Sequence, residues 1–350
     1  MTKFTAALAA LVAGALAATP ILAQQRAGRL SENCREELIA LCYEVDEADR
    51  AAFRACLRER RAEIPDECKA ELRARIEARG RQGALETRPE GLRPAAKPTR
   101  SVLYGEDSRQ QVDVYEPEGA VDPLPLVLFI HGGGWRMGSH KLVQVKPAHL
   151  NAQGYYFAST GYRLVPDVSV AEQAGDIGAA LRALRGQSGA IGFDPERIVI
   201  MGHSAGAHLA ALVATDPKYA GDAFDAIRGV VLLDGAGYDV TAQMASAAPE
   251  LWQIYYNAFT ADKAVQTALS PVTHVGGKDA ANWLALHVED RAESREQSEM
   301  LARRLSAAGA KAEAVAISGT DHGRMNRELG TEAGEAQTRA VDAFLAQVLG

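Results

Sequence analysis

Apolar positions change their rhythm twice along this chain. Phe4 to Ala18 is an almost unbroken run of Ala, Leu, Val and Gly, closed by Pro20. Between residues 32 and 79 the apolar positions recur at helical spacing: Leu38, Leu41 and Cys42, then Phe53, Cys56 and Leu57, then Cys68, Leu72 and Ile76. They predict helices over 32–43, 46–61 and 66–79. Residues 80–100 are broken by Gly80, Gly83, Gly91, Pro89, Pro94 and Pro98 and read as a linker. From residue 101 short apolar runs alternate with helical patterns. Predicted strands are 112–115, 126–130, 155–160, 197–201, 230–233, 283–287 and 314–317; predicted helices are 141–152, 170–185, 205–214, 294–308 and 333–349. This alternation predicts an α/β fold, a mostly parallel sheet covered on both faces by helices. Residues 236–270, between two strands, are the natural place for a cap over a site at the strand ends.

Charge and cysteines sharpen the division. Residues 26–100 hold 17 basic and 15 acidic side chains, whereas 101–350 hold 20 and 30, within a formal net charge of −7. That balance argues against nucleic acid as a partner. All four cysteines, Cys34, Cys42, Cys56 and Cys68, lie in the first module. Their gaps of 7, 13 and 11 residues do not match zinc-site spacing, so two disulfides are expected, with the pairing open. Lys3, the apolar run and Ala23-Gln24 have the form of a cleavable export signal over residues 1–23. The expectation is a mature chain without a membrane span, exported and periplasmic, where disulfides persist.

Gly202-His-Ser-Ala-Gly206 sits between a predicted strand and a predicted helix. A nucleophile on such a sharp turn needs small residues two positions before and after it. The following helix N-terminus supplies free N–H groups for developing negative charge. His131-Gly-Gly-Gly-Trp135 follows another strand directly, and its glycines can turn their N–H groups toward an oxyanion. A phosphate loop would end in Lys-Ser/Thr, which is absent.

These two segments, with Gly161-Tyr-Arg-Leu-Val-Pro166 and Phe193-Asp-Pro-Glu-Arg197, resemble the α/β-hydrolase superfamily over residues 100–350, in its hormone-sensitive-lipase-like and small carboxylesterase branch. The resemblance implies a Ser–acid–His triad in chain order, no cofactor and no metal. Its oxyanion hole maps to Gly133, Gly134 and Ala205, with Gly132 able to contribute. Ser204 is then the nucleophile. Among the eight histidines, His322 in Gly319-Thr-Asp-His-Gly323 follows the last strand, where the family places its general base. His131 is structural in the family, and packing roles are expected for His203 and His208. Glu289, Asp290 and Glu293 compete for the acid. The run Asp290-x-x-Glu-Ser-x-x-Gln-Ser298 resembles kynurenine-formamidase-like and feruloyl-esterase-like members, whose acid is the leading Asp, so Asp290 is the expected acid. In the family Asp176 is structural, and Asp321 is expected to make a loop hydrogen bond.

The expected activity is hydrolysis of small or aryl carboxylic esters, with amide hydrolysis of arylformamidase type as the alternative. A binding protein with a vestigial hydrolase core is a third reading. Trp135, Trp252, Tyr255, Tyr256 and Phe259 are candidates for pocket lining or plain packing. The cysteine-rich segment resembles the repeat of Golgi-type glycoproteins and bacterial exported proteins, which implies a small helical disulfide module rather than catalysis.

Overall fold

The apolar runs assemble into one eight-stranded sheet in the computed structural model of the protein, with strand order β1-β2-β4-β3-β5-β6-β7-β8. The structure describes residues 97–120, 123–247, 249–350, 63–71 and the isolated positions 34, 38, 41, 56, 57 and 60. The strands are β1 (Arg100–Leu103), β2 (Gln111–Tyr115), β3 (Leu124–Ile130), β4 (Tyr156–Thr160), β5 (Phe193–His203), β6 (Ile227–Leu233), β7 (Asn282–Val288) and β8 (Lys311–Ile317). β2 pairs antiparallel with β1 and β4, and every other pairing is parallel.

The central strands are apolar on both faces because helices cover both. Leu126, Leu128 and Ile130 of β3 point into one layer, while Val127 and Phe129 point into the other. The first layer is filled by α2 (Val170–Ile191), α3 (Ala205–Thr215) and α7 (Ala292–Ala307), the second by α1 (Lys146–Ala152), α8 (His322–Arg327) and α9 (Glu335–Leu349). Between β6 and β7 lie α4 (Val240–Ser246), α5 (Pro249–Phe259) and α6 (Lys263–Ala268), within the segment expected to form a cap.

Several boundaries differ from the predicted ones for identifiable reasons. α1 begins at Lys146, not Lys141, because Pro147 sits in its first turn and Gln144 before it has φ 52°. α2 starts on a Ser169–Glu172 capping box and runs to Ile191, past the predicted end at Arg185; it stops where Gly192 adopts φ 103°. β1 lies at the edge of the predicted linker. It is a short edge strand with only Val102 buried, which leaves little periodicity to read.

The chain divides into two units, 1–90 and 91–350. In the first, the described residues at 34, 38, 41, 56, 57 and 66–71 are helical. Cys34, Leu38, Ile64 and Cys68 form a small buried cluster with Leu41 and Leu57 against it. Cys34 and Cys68 are disulfide-bonded to each other, and Cys56 is disulfide-bonded as well. The expected signal segment 1–23 and most of the linker lie outside the described residues. Among the described residues no helix is long and apolar enough to cross a membrane, and no group of three or more His, Cys, Asp or Glu is placed to hold a metal.

Candidate active site

The carboxyl ends of β3, β5, β6, β7 and β8 line up along one edge of the sheet, the place where open α/β folds bind ligands. Each delivers one element of the site.

Ser204 follows β5 directly and caps α3, with φ 56° and ψ −121°. A non-glycine residue with positive φ is strained, and the surroundings enforce it. The flanking glycines are there for space. A Cβ on Gly202 would come within 2.2 Å of the Gly206 carbonyl oxygen, and one on Gly206 within 2.2 Å of the Ile130 carbonyl oxygen. The turn therefore closes only with bare backbone at both positions. The Ser204 N–H donates to the Leu233 carbonyl, tying the elbow to the end of β6.

His322 follows β8 and opens α8. Asp321 caps that helix by accepting the Arg324 N–H, the loop role expected for it. His322 Nε2 lies 3.0 Å from Ser204 Oγ and Nδ1 lies 2.7 Å from Asp234 Oδ2. The network fits the tautomer with the proton on Nδ1. Nδ1–H then donates to Asp234, and Nε2 is left to accept from the serine hydroxyl.

Asp234 is not among the acids that the sequence singles out. It stands directly after β6, with φ 47° and a fully buried side chain. Its Oδ1 accepts the Val288 N–H from the end of β7, and its Oδ2 also meets Arg291 Nη1. Burial alone would push this carboxyl up. The His322 hydrogen bond, the Arg291 guanidinium and the Val288 N–H outweigh it and hold the group well below the usual carboxylate range.

The expected acid, Asp290, is not brought to His322. It sits exposed in the turn after β7. The Arg291 N–H closes that turn onto the Val288 carbonyl, and it is the Arg291 side chain that enters the site. Of the other two competitors, Glu289 is exposed, and Glu293 accepts from Gln243 of α4 and Tyr255 of α5, so it straps the cap to α7. The overlooked signal was the Asp-Gly step at the end of the apolar run Val230–Leu233.

Gly133, Gly134 and Ala205, the residues expected to form the oxyanion hole, line the cavity in front of Ser204. Among the described residues none of their N–H groups has a protein acceptor. Gly132 packs against the elbow, where a Cβ would lie 2.8 Å from the His203 carbonyl oxygen. Trp135 and Tyr255 also line the cavity, whereas Phe259 is buried behind Trp135, and Trp252 and Tyr256 stack on each other at the surface.

The remaining histidines brace this arrangement. Burial pushes the His203 imidazole down to about 3, with His322 lowering it further. Its neutral ring donates from Nε2 to the His322 carbonyl at 2.8 Å. Fully buried His208, lowered to about 4 by burial, accepts from the Trp135 indole and donates to the Leu269 carbonyl. His131, also lowered to about 4 by burial, stacks on Tyr162, whose hydroxyl donates to the His131 carbonyl. Asp176 holds Arg163 in a two-oxygen ion pair and accepts the Arg163 N–H, which fixes the loop after β4 rather than the chemistry. Fully buried Lys146, pushed down to about 7 by burial, reaches the Asn326 carbonyl at 2.7 Å and so steadies the helix that begins with His322.

Comparison with known proteins places this geometry in context. A family model described as BD-FAE matches residues 112–305. A kynurenine formamidase of Danio rerio is 27% identical over 251 residues, covering 70% of this chain and 81% of that protein. A probable isoprenylcysteine α-carbonyl methylesterase of Arabidopsis thaliana is 33% identical over 112 residues, 32% of this chain. That match spans only 24% of the plant protein's length. Among solved structures, a thermophilic esterase of the planctomycete Thermogutta terrifontis superposes with a TM-score of 0.60 at 22% identity, covering 73% of this chain and 93% of that one; it establishes the shared α/β-hydrolase fold.

Proposed function

The chain belongs to the BD-FAE family, and from that premise we propose that it is a serine hydrolase that cleaves carboxylic esters with Ser204 as nucleophile, His322 as general base and Asp234 as the acid. The single observation that carries this reading is the continuous path from Ser204 Oγ to His322 Nε2 at 3.0 Å and from Nδ1 to Asp234 at 2.7 Å.

In the proposed reaction His322 takes the hydroxyl proton as Ser204 attacks the ester carbonyl. The N–H groups of Gly133, Gly134 and Ala205 receive the oxyanion. Asp234 orients the ring and stabilises the imidazolium. The imidazolium returns its proton to the leaving alcohol, and water resolves the acyl-enzyme with His322 again as base. Hydrolysis of p-nitrophenyl butyrate by the full chain, lost in Ser204→Ala, is the expected result; unchanged turnover in the variant overturns the reading.

A second reading is amide hydrolysis of the arylformamidase type on the same groups. It is favoured by the kynurenine formamidase relative, which the match covers over most of its length. Aryl formamides assayed beside aryl esters separate the two. We also propose export to the periplasm; the disulfide-bonded cysteines of the first unit support it. N-terminal sequencing of the secreted chain tests it, with cleavage after Ala23 expected.

A further inference from the structure

The cavity in front of Ser204, about 460 Å³, carries an unbalanced charge. Two guanidiniums line it, Arg136 and Arg291, against one carboxylate, Asp234. That carboxylate is spent within the protein. Its side chain is fully buried, with Oδ1 on the Val288 N–H and Oδ2 shared by His322 and Arg291. Much of the remaining lining is apolar, including Trp135, Met137, Leu251 and Ile254.

Arg291 uses only one corner of its guanidinium. All its side-chain hydrogen bonds run through Nη1 to Asp234, with Nη1 also 2.7 Å from His322 Nδ1, and Nε and Nη2 have no protein acceptor among the described residues. The side chain is 28% exposed. Arg136 has no ion-pair partner among the described residues. This positive lining belongs to a chain of net charge −7, so it is local and not a general property of the surface. A planar guanidinium edge without an acceptor, in apolar walls, is built to pair with a carboxylate.

We infer that the site selects esters that carry a carboxylate a few bonds from the scissile carbonyl, recognised by the open edge of Arg291 with Arg136 beside it. The inference rests on the ester-hydrolase reading above. The substrate class is the half-esters of small dicarboxylic acids, and Arg136 and Arg291 are the specificity-determining pair.

Monoethyl succinate and ethyl butyrate test it, because they differ in a terminal carboxylate replacing a methyl group. Proton release in a pH-stat gives kcat/KM for each, with p-nitrophenyl butyrate as a separate report on the hydrolase itself. The expected result is a preference for the half-ester of about tenfold or more, the scale of one charged hydrogen bond. Arg136→Gln and Arg291→Gln should each lower that ratio, and Arg291→Lys should restore part of it. Using the ratio cancels any effect of Arg291 on Asp234 that is common to both substrates. Turnover of p-nitrophenyl butyrate with no half-ester preference, or with a ratio indifferent to both substitutions, overturns this inference alone. Absence of turnover on all three esters overturns the proposed function and the inference with it.

Discussion

Two neighbouring strands each end close to an aspartate, and the two could hardly be treated more differently. At the end of β6, Asp234 is sealed in protein, held in a left-handed backbone conformation, with both oxygens engaged. Just past the end of β7, Asp290 stands in water on a tight turn. A carboxylate serves a histidine base only if its charge is kept and its position fixed, and both require buried partners. At the β7 end the Val288 N–H instead holds the aspartate of β6, and the turn carries Arg291 inward.

Substitution is the most direct way to break the contrast. Asp234→Asn should lower kcat by about 10³–10⁴-fold, since it removes the charge and favours the wrong tautomer of His322. Steady-state kinetics on p-nitrophenyl butyrate, with circular dichroism to confirm folding, measures this. A loss under tenfold would return the role to another carboxylate.

The same opposition of buried and exposed groups governs acid stability. His131, His203 and His208 are neutral in the folded protein because burial lowers them to about 4, 3 and 4. In the unfolded chain they take up protons near pH 6.5. Their contribution is therefore complete above that value and is lost as pH falls. Between about pH 6 and 4 the slope from these three approaches about 4 kcal/mol per pH unit. Urea denaturation across this range should reveal it, and His208→Gln should remove about one proton from the slope.

A smaller effect appears on the alkaline side. Lys146 is lowered to about 7 by burial, so above that pH the folded chain has lost a proton that the unfolded chain keeps up to about 10.4. Stability then rises with pH between these values, by up to about 1.4 kcal/mol per unit. Lys146→Met should flatten this rise in denaturation curves at pH 7 and 9. The smallest effect belongs to Asp290→Asn: activity within about twofold and stability within about 0.5 kcal/mol of the parent, as for exposed positions generally. A large loss there would restore the acid to β7.

The parts of this molecule that could be read in the sequence are those whose cause is local. Ser204 is legible because its turn excludes a side chain at 202 and 206, and the glycine loop because it must present bare backbone. His322 is legible from its place after the last strand. The sheet is legible because strands buried on both faces become uninterrupted apolar runs. Asp234 is not, because nothing in its own neighbourhood marks it. What makes it the partner of His322 is the Val288 N–H, 54 residues away, and the packing of β6 against β7. β1 escapes for the opposite reason, since an edge strand with one buried side chain carries almost no pattern.

Chain order has a consequence for timing. Ser204 and its proposed base His322 are separated by 118 residues, and His322 arrives only with the last helices. During synthesis the Ser204 segment exists long before anything can take its proton. On the mechanism proposed above, the nascent polypeptide is chemically silent until β8 has docked, and a fragment ending ahead of that strand stays so. For a hydrolase with ester substrates around it, the late arrival of the proposed base would act as a safety catch released when β8 and the helix after it dock.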